Sequence, residues 1–226
     1  MSPVRPLGNR YPSLRTLLPA TIAFGAVLLA APAAWSQEPA ADPIVRVEED
    51  WVLILNSPNQ NANSPQFHTL MSPFGDIDSY YAQVAWNYRE IPEFLPGGLQ
   101  LQAWNGETLI RTRAVGTTQL STAAETIFWT QALQTNGMAL YFSILNGHSL
   151  TWGEFGRDMM IHMDANLGDL SAYSTDVSVA NACITYGSNR VNILAIVQVR
   201  YYSADGLAAV DSTPRIVYNL NQDLGG

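Results

Sequence analysis

From about Ile44 to Gln222 the chain alternates apolar and polar residues in short runs broken by Asn, Gly, Pro and Ser. No heptad, no sustained 3.6-residue period and no internal repeat interrupts the pattern. A period of two sends successive side chains to opposite faces of a strand, so the segment is committed to half-buried sheets and a helical bundle is excluded.

Three Asn-Gly pairs and one Asp-Gly pair fall between these runs, and such pairs favour two-residue hairpin turns because both positions need positive φ. A turn at Asn105-Gly106 sets Leu101 opposite Ile110, Ala103 opposite Thr108, Trp104 opposite Glu107, Gln102 opposite Leu109 and Gln100 opposite Arg111. One face is then apolar and the other mainly polar, and a one-residue slip mixes them. A turn at Asn136-Gly137 sets Leu133 opposite Leu140, Gln131 opposite Phe142 and Trp129 opposite Ile144. Asn146-Gly147 is expected to turn the chain again, bringing Trp152 beside Tyr141, and Asp205-Gly206 to pair Tyr201 with Val210 and Arg200 with Asp211.

The longest expected strand, Val191 to Tyr202, places Val191, Ile193, Ala195, Val197, Val199 and Tyr201 on one face. Further strands are expected at Val45 to Leu55, Gln66 to Met71, Ser79 to Arg89 and Met159 to Asp164, with Tyr80, Ala82, Val84, Trp86 and Tyr88 sharing a side of the third. Roughly ten strands joined by hairpins define an all-β chain. The expected fold is an antiparallel two-sheet β-sandwich, jelly-roll or lectin-like, with a closed antiparallel barrel as the alternative.

The first 36 residues read differently. Arg5, Arg10 and Arg15 precede an apolar run from Leu17 to Ala30, small residues follow to Ser36, and no acidic residue occurs before Glu38. This is the pattern of a secretory signal peptide, with cleavage after Ala34-Trp35-Ser36 or, second, after Ala31-Pro32-Ala33. The alternative is an uncleaved anchor, against which Pro19, Gly25 and the terminal small residues argue. Residues 37–43 read as a short linker and 44–222 as a single domain, exported to the periplasm, the cell surface or the extracellular space, with no stable membrane insertion after cleavage.

The 226 residues hold eleven basic side chains, all arginine, and nineteen acids, a net charge of −8. Removing the basic leader leaves a domain of about −11, a sign that argues against nucleic acid and anionic lipid as partners. The absence of lysine excludes a Walker-A loop and Schiff-base, Ser-Lys or isopeptide chemistry. Cys183 is the only cysteine, so no internal disulfide forms; within an alternating apolar stretch it is expected to be a buried, inert thiol.

Motifs for catalysis are incomplete. Gly147-His148-Ser149-Leu150-Thr151 resembles the nucleophile elbow of lipases and esterases, but Thr151 replaces the final glycine and no helical pattern follows. Glu48, Glu49, Asp50, Glu154 and Asp158 are available as glycosidase-type carboxylates, but the first three are contiguous and alternate between faces, as expected of a charged, solvated strand edge. His162 and Asp164 share a strand face. Asp164, Asn166 and Asp169 supply oxygen at loop positions that suit a structural Ca²⁺; no other cofactor is implied. Asp76-Ile-Asp78 and the loop Asn56 to Asn63 are further oxygen-rich segments that read as Asx-capped turns.

Trp86 and Trp129 alternate with aliphatics and are expected in the core. Trp104 instead falls on the polar side of its hairpin with Gln100, Gln102, Glu107 and Arg111. An aromatic plate flanked by planar amides, a guanidinium and a carboxylate is the composition that stacks on sugar C–H faces and bonds hydroxyls. The sequence therefore favours a non-catalytic exported module that binds glycan or another envelope component. A polysaccharide-active hydrolase or lyase on the same scaffold and a purely structural surface protein are the alternatives.

Overall fold

The computed structural model describes residues 42–57, 65–87, 98–116 and 123–220. The expected signal peptide, most of the linker, Tyr88 and residues 58–63 of the Asn56 to Asn63 loop lie outside them.

Among the described residues thirteen strands run in order: β1 Arg46–Leu55, β2 Gln66–Met71, β3 Tyr80–Trp86, β4 Gly98–Asn105, β5 Thr108–Gly116, β6 Glu125–Thr135, β7 Ala139–Ser149, β8 Gly153–Phe155, β9 Met159–Asp164, β10 Cys183–Tyr186, β11 Val191–Ser203, β12 Gly206–Asp211 and β13 Arg215–Asn219. Among the described residues one short α-helix, α1 Thr175–Asn181, precedes β10. At seven residues it is too short to imprint a helical period on the sequence.

All pairings are antiparallel. Sheet A is ordered β12-β11-β1-β6-β7-β8, with β13 also on β11 and β9 also on β7; sheet B is ordered β10-β2-β3-β4-β5. Neither sheet closes on itself, so the fold is a two-sheet β-sandwich and the barrel is excluded. One hydrophobic cluster unites the inner faces of both sheets. At its centre Trp51 stacks on Trp129 with ring centroids 5.7 Å apart, Trp129 meets Trp86 at 4.5 Å, and Trp86 stacks on Phe67 at 5.2 Å. Trp86 and Trp129 are core residues as expected, each at most 1% exposed.

The hairpins form, but their registers differ from those expected. At Gly106 the φ is +53° while Asn105 keeps ordinary φ, so the central pair is Gly106-Glu107 and Asn105 pairs with Thr108. A bulge between the Trp104–Leu109 and Ala103–Arg111 pairs, with Ile110 as its extra residue, then sets Ala103 opposite Arg111. At Asn136-Gly137 the ladder joins Thr135 to Leu140 and Leu133 to Phe142, two residues from the expected register. Because a shift of two keeps every side chain on its face, Leu133, Trp129, Leu140, Phe142 and Ile144 are buried together all the same. The β11–β12 turn is likewise displaced, pairing Tyr201 with Ala209 and Arg200 with Val210.

Two expectations fail for a common reason. Asn146-Gly147 is no turn: β7 runs through it, with Leu145 as the extra residue of a bulge between the Gln131–Ile144 and Thr130–Asn146 pairs. The reversal comes at Leu150 to Trp152, and Tyr141 faces Gln134 and His162 instead of Trp152. In β11, extra residues near Asn192 and Val197 switch the inward face, so Leu194 and Ile196 join the core in place of Ile193 and Val197.

Candidate functional site

In β3 and β4 the buried residues Ala82, Val84 and Trp86, and Leu99, Leu101 and Ala103, face the core. Their alternates Tyr81, Gln83, Gln100, Gln102 and Trp104 therefore form the outer face of sheet B, all half-buried. The ladder sets Tyr81 directly opposite Trp104 and Gln83 opposite Gln102. The two rings stack with centroids 6.1 Å apart and planes 2° from parallel. Burial pushes the Tyr81 phenol up, keeping it protonated.

A line of amides continues from the rings. Trp104 Nε1 donates to Gln102 Oε1 at 3.0 Å, Gln83 Nε2 donates to the same oxygen, and Gln102 Nε2 donates to Gln100 Oε1. These bonds lock the planar groups and use the Trp104 N–H. Gln83 Oε1 and Gln100 Nε2 take no part in these bonds and remain as an acceptor and a donor on the outer face. Trp104, Gln100 and Gln102 thus come together as the sequence predicted, joined by Tyr81 and Gln83, which it missed because β3 and β4 are linked by no two-residue turn that would reveal their register.

Glu107 is exposed in the β4–β5 turn. Arg111 is not part of the face. The bulge gives it the opposite orientation, and its Nη1 lies 2.8 Å from His162 Nε2 on β9 of sheet A. His162 is also 5.9 Å from the Tyr141 ring, so it is held by Arg111 and Tyr141 beside Asp164 on the outer side of β9. In the following loop Asp169 accepts the Ser171 N–H at 2.9 Å, and Asp164 and Asn166 are exposed. Among the described residues no group of three or more His, Cys, Asp or Glu side chains is placed to hold a metal ion. Asp76 accepts the Asp78 N–H at 3.1 Å, the Asx turn expected there.

The elbow resemblance does not survive. Adjacent on a strand, His148 and Ser149 face opposite ways: Ser149 is buried and accepts the Trp152 N–H at 2.8 Å, while His148 is exposed and pairs with Glu154 at 2.9 Å. Glu125, also buried, accepts from Leu150 N and Thr151 Oγ1, each at 2.6 Å, and so caps the turn.

Glu48, Glu49 and Asp50 do alternate between faces, but β1 is an interior strand between β11 and β6, not an edge. Outward, Arg200 bridges Glu48 at 2.9 Å and also binds Asp50, with Tyr202 Oη donating to Glu48 at 3.1 Å and Thr130 Oγ1 to Asp50 at 2.6 Å. Inward, Glu49 is fully buried. Asp50, Phe128, Asn146, His148, Glu154 and Arg200 line a hollow of about 460 Å³ on the outer face of sheet A.

Cys183 is also placed differently from the expectation. It is exposed on β10, an outermost strand of sheet B, and lies opposite His68 with Sγ 3.3 Å from Nε2. Burial lowers the pKa of His68, leaving a neutral imidazole beside the thiol. No family model matches the chain, and no curated protein matches it.

Proposed function

We propose that the protein is an exported, non-catalytic β-sandwich module that binds glycan through the Tyr81–Trp104 face. The observation that supports this reading is the parallel Tyr81–Trp104 pair continued by three bonded glutamine amides. Stacked rings on a flat sheet offer apolar area to a sugar ring, and the remaining amide groups offer hydrogen bonds to its hydroxyls without any bond-breaking machinery. Rigid β-strands, rather than loops, hold the groups, which lowers the entropic cost of binding.

Glycan-array binding by the wild-type chain and by Trp104→Ala and Tyr81→Ala tests the site. Loss in both variants is expected. Binding that survives Trp104→Ala removes this face from the account, and the absence of any array binding favours a structural surface role.

The hydrolase or lyase alternative has its best support in Asp50 and Glu154 lining one hollow. Against it, Asp50 is held by Arg200 and Thr130, and Glu154 is an exposed side chain beside His148. Release of reducing ends from polysaccharide, lost in Glu154→Gln, would favour the enzyme.

A further inference from the structure

A second surface gathers charge against the composition of the chain. A hollow of about 700 Å³ on the outer side of sheet A is lined by Arg46 of β1, Arg113 of β5 and Arg157 of the β8–β9 turn. Asp158 is the one acid among its described lining residues, and Gln134 and Ser143 add an amide and a hydroxyl. Three arginines line one hollow in a chain with no lysine and a net charge of −8.

The fold brings these distant residues together. Arg46 pairs with Gln134 in the β1–β6 ladder, and Ser143 pairs with Met160 in the β7–β9 ladder. From the other sheet Arg113 reaches the edge of β9, where its Nη1 donates to the Met160 carbonyl at 3.0 Å. One of its N–H groups is thus used for positioning and the others are left for a ligand. Arg46 forms an ion pair with Glu48, and Arg157 is exposed.

The hollow continues. A neighbouring one of about 390 Å³ shares Leu145 and Arg157 with it. That neighbour shares Asn146 and Glu154 with the hollow containing Phe128, whose ring is 53% exposed. The shared residues set the three hollows side by side, with arginines at one end and Phe128, together with Asp50, Glu154 and Arg200, at the other. A compact oxyanion would use the arginine end alone, whereas a chain that carries anionic groups on sugar rings matches both ends.

We propose that this groove binds an acidic oligosaccharide, its carboxylate or sulfate groups on Arg46, Arg113 and Arg157 and its rings extending toward Phe128. The inference rests on the glycan-binding reading and names a ligand class, but it uses residues separate from Trp104. Guanidinium groups suit it because they bind planar oxyanions through paired N–H donors.

Calorimetric titration of the full chain with oligogalacturonate, a sulfated heparin oligosaccharide, neutral cello-oligosaccharide and inorganic sulfate tests it. The expected result is binding of one or both acidic oligosaccharides, weakened by salt and weakened about tenfold or more in Arg157→Gln and Arg113→Gln. The two acidic probes distinguish carboxylate from sulfate as the recognised group. Arg157 is exposed, so Arg157→Gln is expected to fold normally, which thermal melting checks.

Acid binding unchanged in both arginine variants, or lost only in Trp104→Ala, overturns the proposal. Inorganic sulfate bound as tightly as the oligosaccharides overturns the extended groove. If only neutral sugars bind, through Trp104, the earlier reading stands and this one falls. Arginine-dependent acid binding with no Trp104-dependent glycan does the reverse.

Discussion

Gln131 donates its side-chain amide to the carboxylate of Glu49 at 2.8 Å, in the sealed space between the two sheets. The same Gln131 accepts from Thr69 Oγ1 of sheet B at 2.9 Å, so the pair ties the sheets together through side chains. Trp51 Nε1 adds a bond to Glu49 at 2.9 Å, and Tyr173 Oη, from the segment before α1, donates to its other oxygen. A charged carboxylate buried among donors is retained only at a desolvation cost. Here that cost outweighs the bonds from Tyr173, Ser178, Trp51 and Gln131 and raises the pKa of Glu49.

The raised pKa gives stability a definite slope with pH. The native chain holds the Glu49 proton at pH values where the unfolded chain, with a carboxyl near 4.5, has released it. The contribution is therefore complete below the unfolded pKa and is lost as pH rises through the native one. Glu49→Gln cannot lose this proton and still meets its neighbours. Its carbonyl can accept from Trp51 and Gln131, and its amide can donate to Tyr173 Oη, whose own proton can turn to Ser178 Oγ at 3.3 Å. Urea midpoints measured from acidic to neutral pH are expected to fall less steeply for Glu49→Gln, which is the more stable protein at neutral pH. Parallel curves would show that Glu49 does not set the slope.

Trp51 and Trp129 stack in the same core, yet only Trp51 has a use for its N–H. Trp51 donates to Glu49, whereas Trp129 Nε1 is buried with no hydrogen-bond partner among the described residues. Substitution by Phe removes similar volume at both sites. Trp51→Phe also strips a donor from a buried carboxyl, while Trp129→Phe removes an unsatisfied group. Trp51→Phe is expected to cost about 1–3 kcal/mol more than Trp129→Phe, the range for an unmet buried polar group. Equal losses in denaturant titrations at one pH would contradict this.

The exposed position of Cys183 predicts ready chemistry with a thiol reagent. Its sequence context alternates and looks internal, but β10 lies at the outside of sheet B and the thiol faces out beside His68. Because the neighbouring imidazole is neutral, it supplies no cation to stabilise a thiolate. One equivalent of Ellman's reagent is expected to react in the native state without denaturant. Protection until unfolding would place the thiol inside.

The contrast between Leu133 and Arg111 shows what a strand sequence encodes. Which face Leu133 takes follows from a period of two, and the displaced Asn136-Gly137 register leaves that face unchanged. Placing Arg111 requires an unbroken ladder from Asn105, and one bulge at Ile110 turns it toward His162. Bulges are set by packing between strands and leave little local mark. Glu49 illustrates another limit: alternation with Glu48 and Asp50 was legible, but the interior position of β1 depends on partners from β6 and β11, far away in the chain. The amides Gln100 and Gln102 could be assigned beside Trp104 because all lie on one strand. Tyr81 and the Arg46, Arg113 and Arg157 hollow could not, since those groupings arise only from assembly.

Gly147 tests the bulge interpretation most directly. A turn glycine would be required for its φ, whereas Gly147 lies in β7 without positive φ and is required for space. A Cβ there would be 2.2 Å from Phe155 Cε2. The Phe155 ring cannot easily withdraw, because it sits edge-on to Trp86 at 5.6 Å and to Trp152 at 5.5 Å. Gly147→Ala is therefore expected to destabilise by about 1–3 kcal/mol, the usual cost of overpacking. Gly75 has nothing within 4 Å of an added Cβ and no unusual φ, so Gly75→Ala serves as the neutral control. Adding Phe155→Leu should remove most of the penalty, since the two sites are in contact and their effects are not independent. If Gly147→Ala proved as costly in the Phe155→Leu background as it is with Phe155 in place, the clash with the ring would not be its cause.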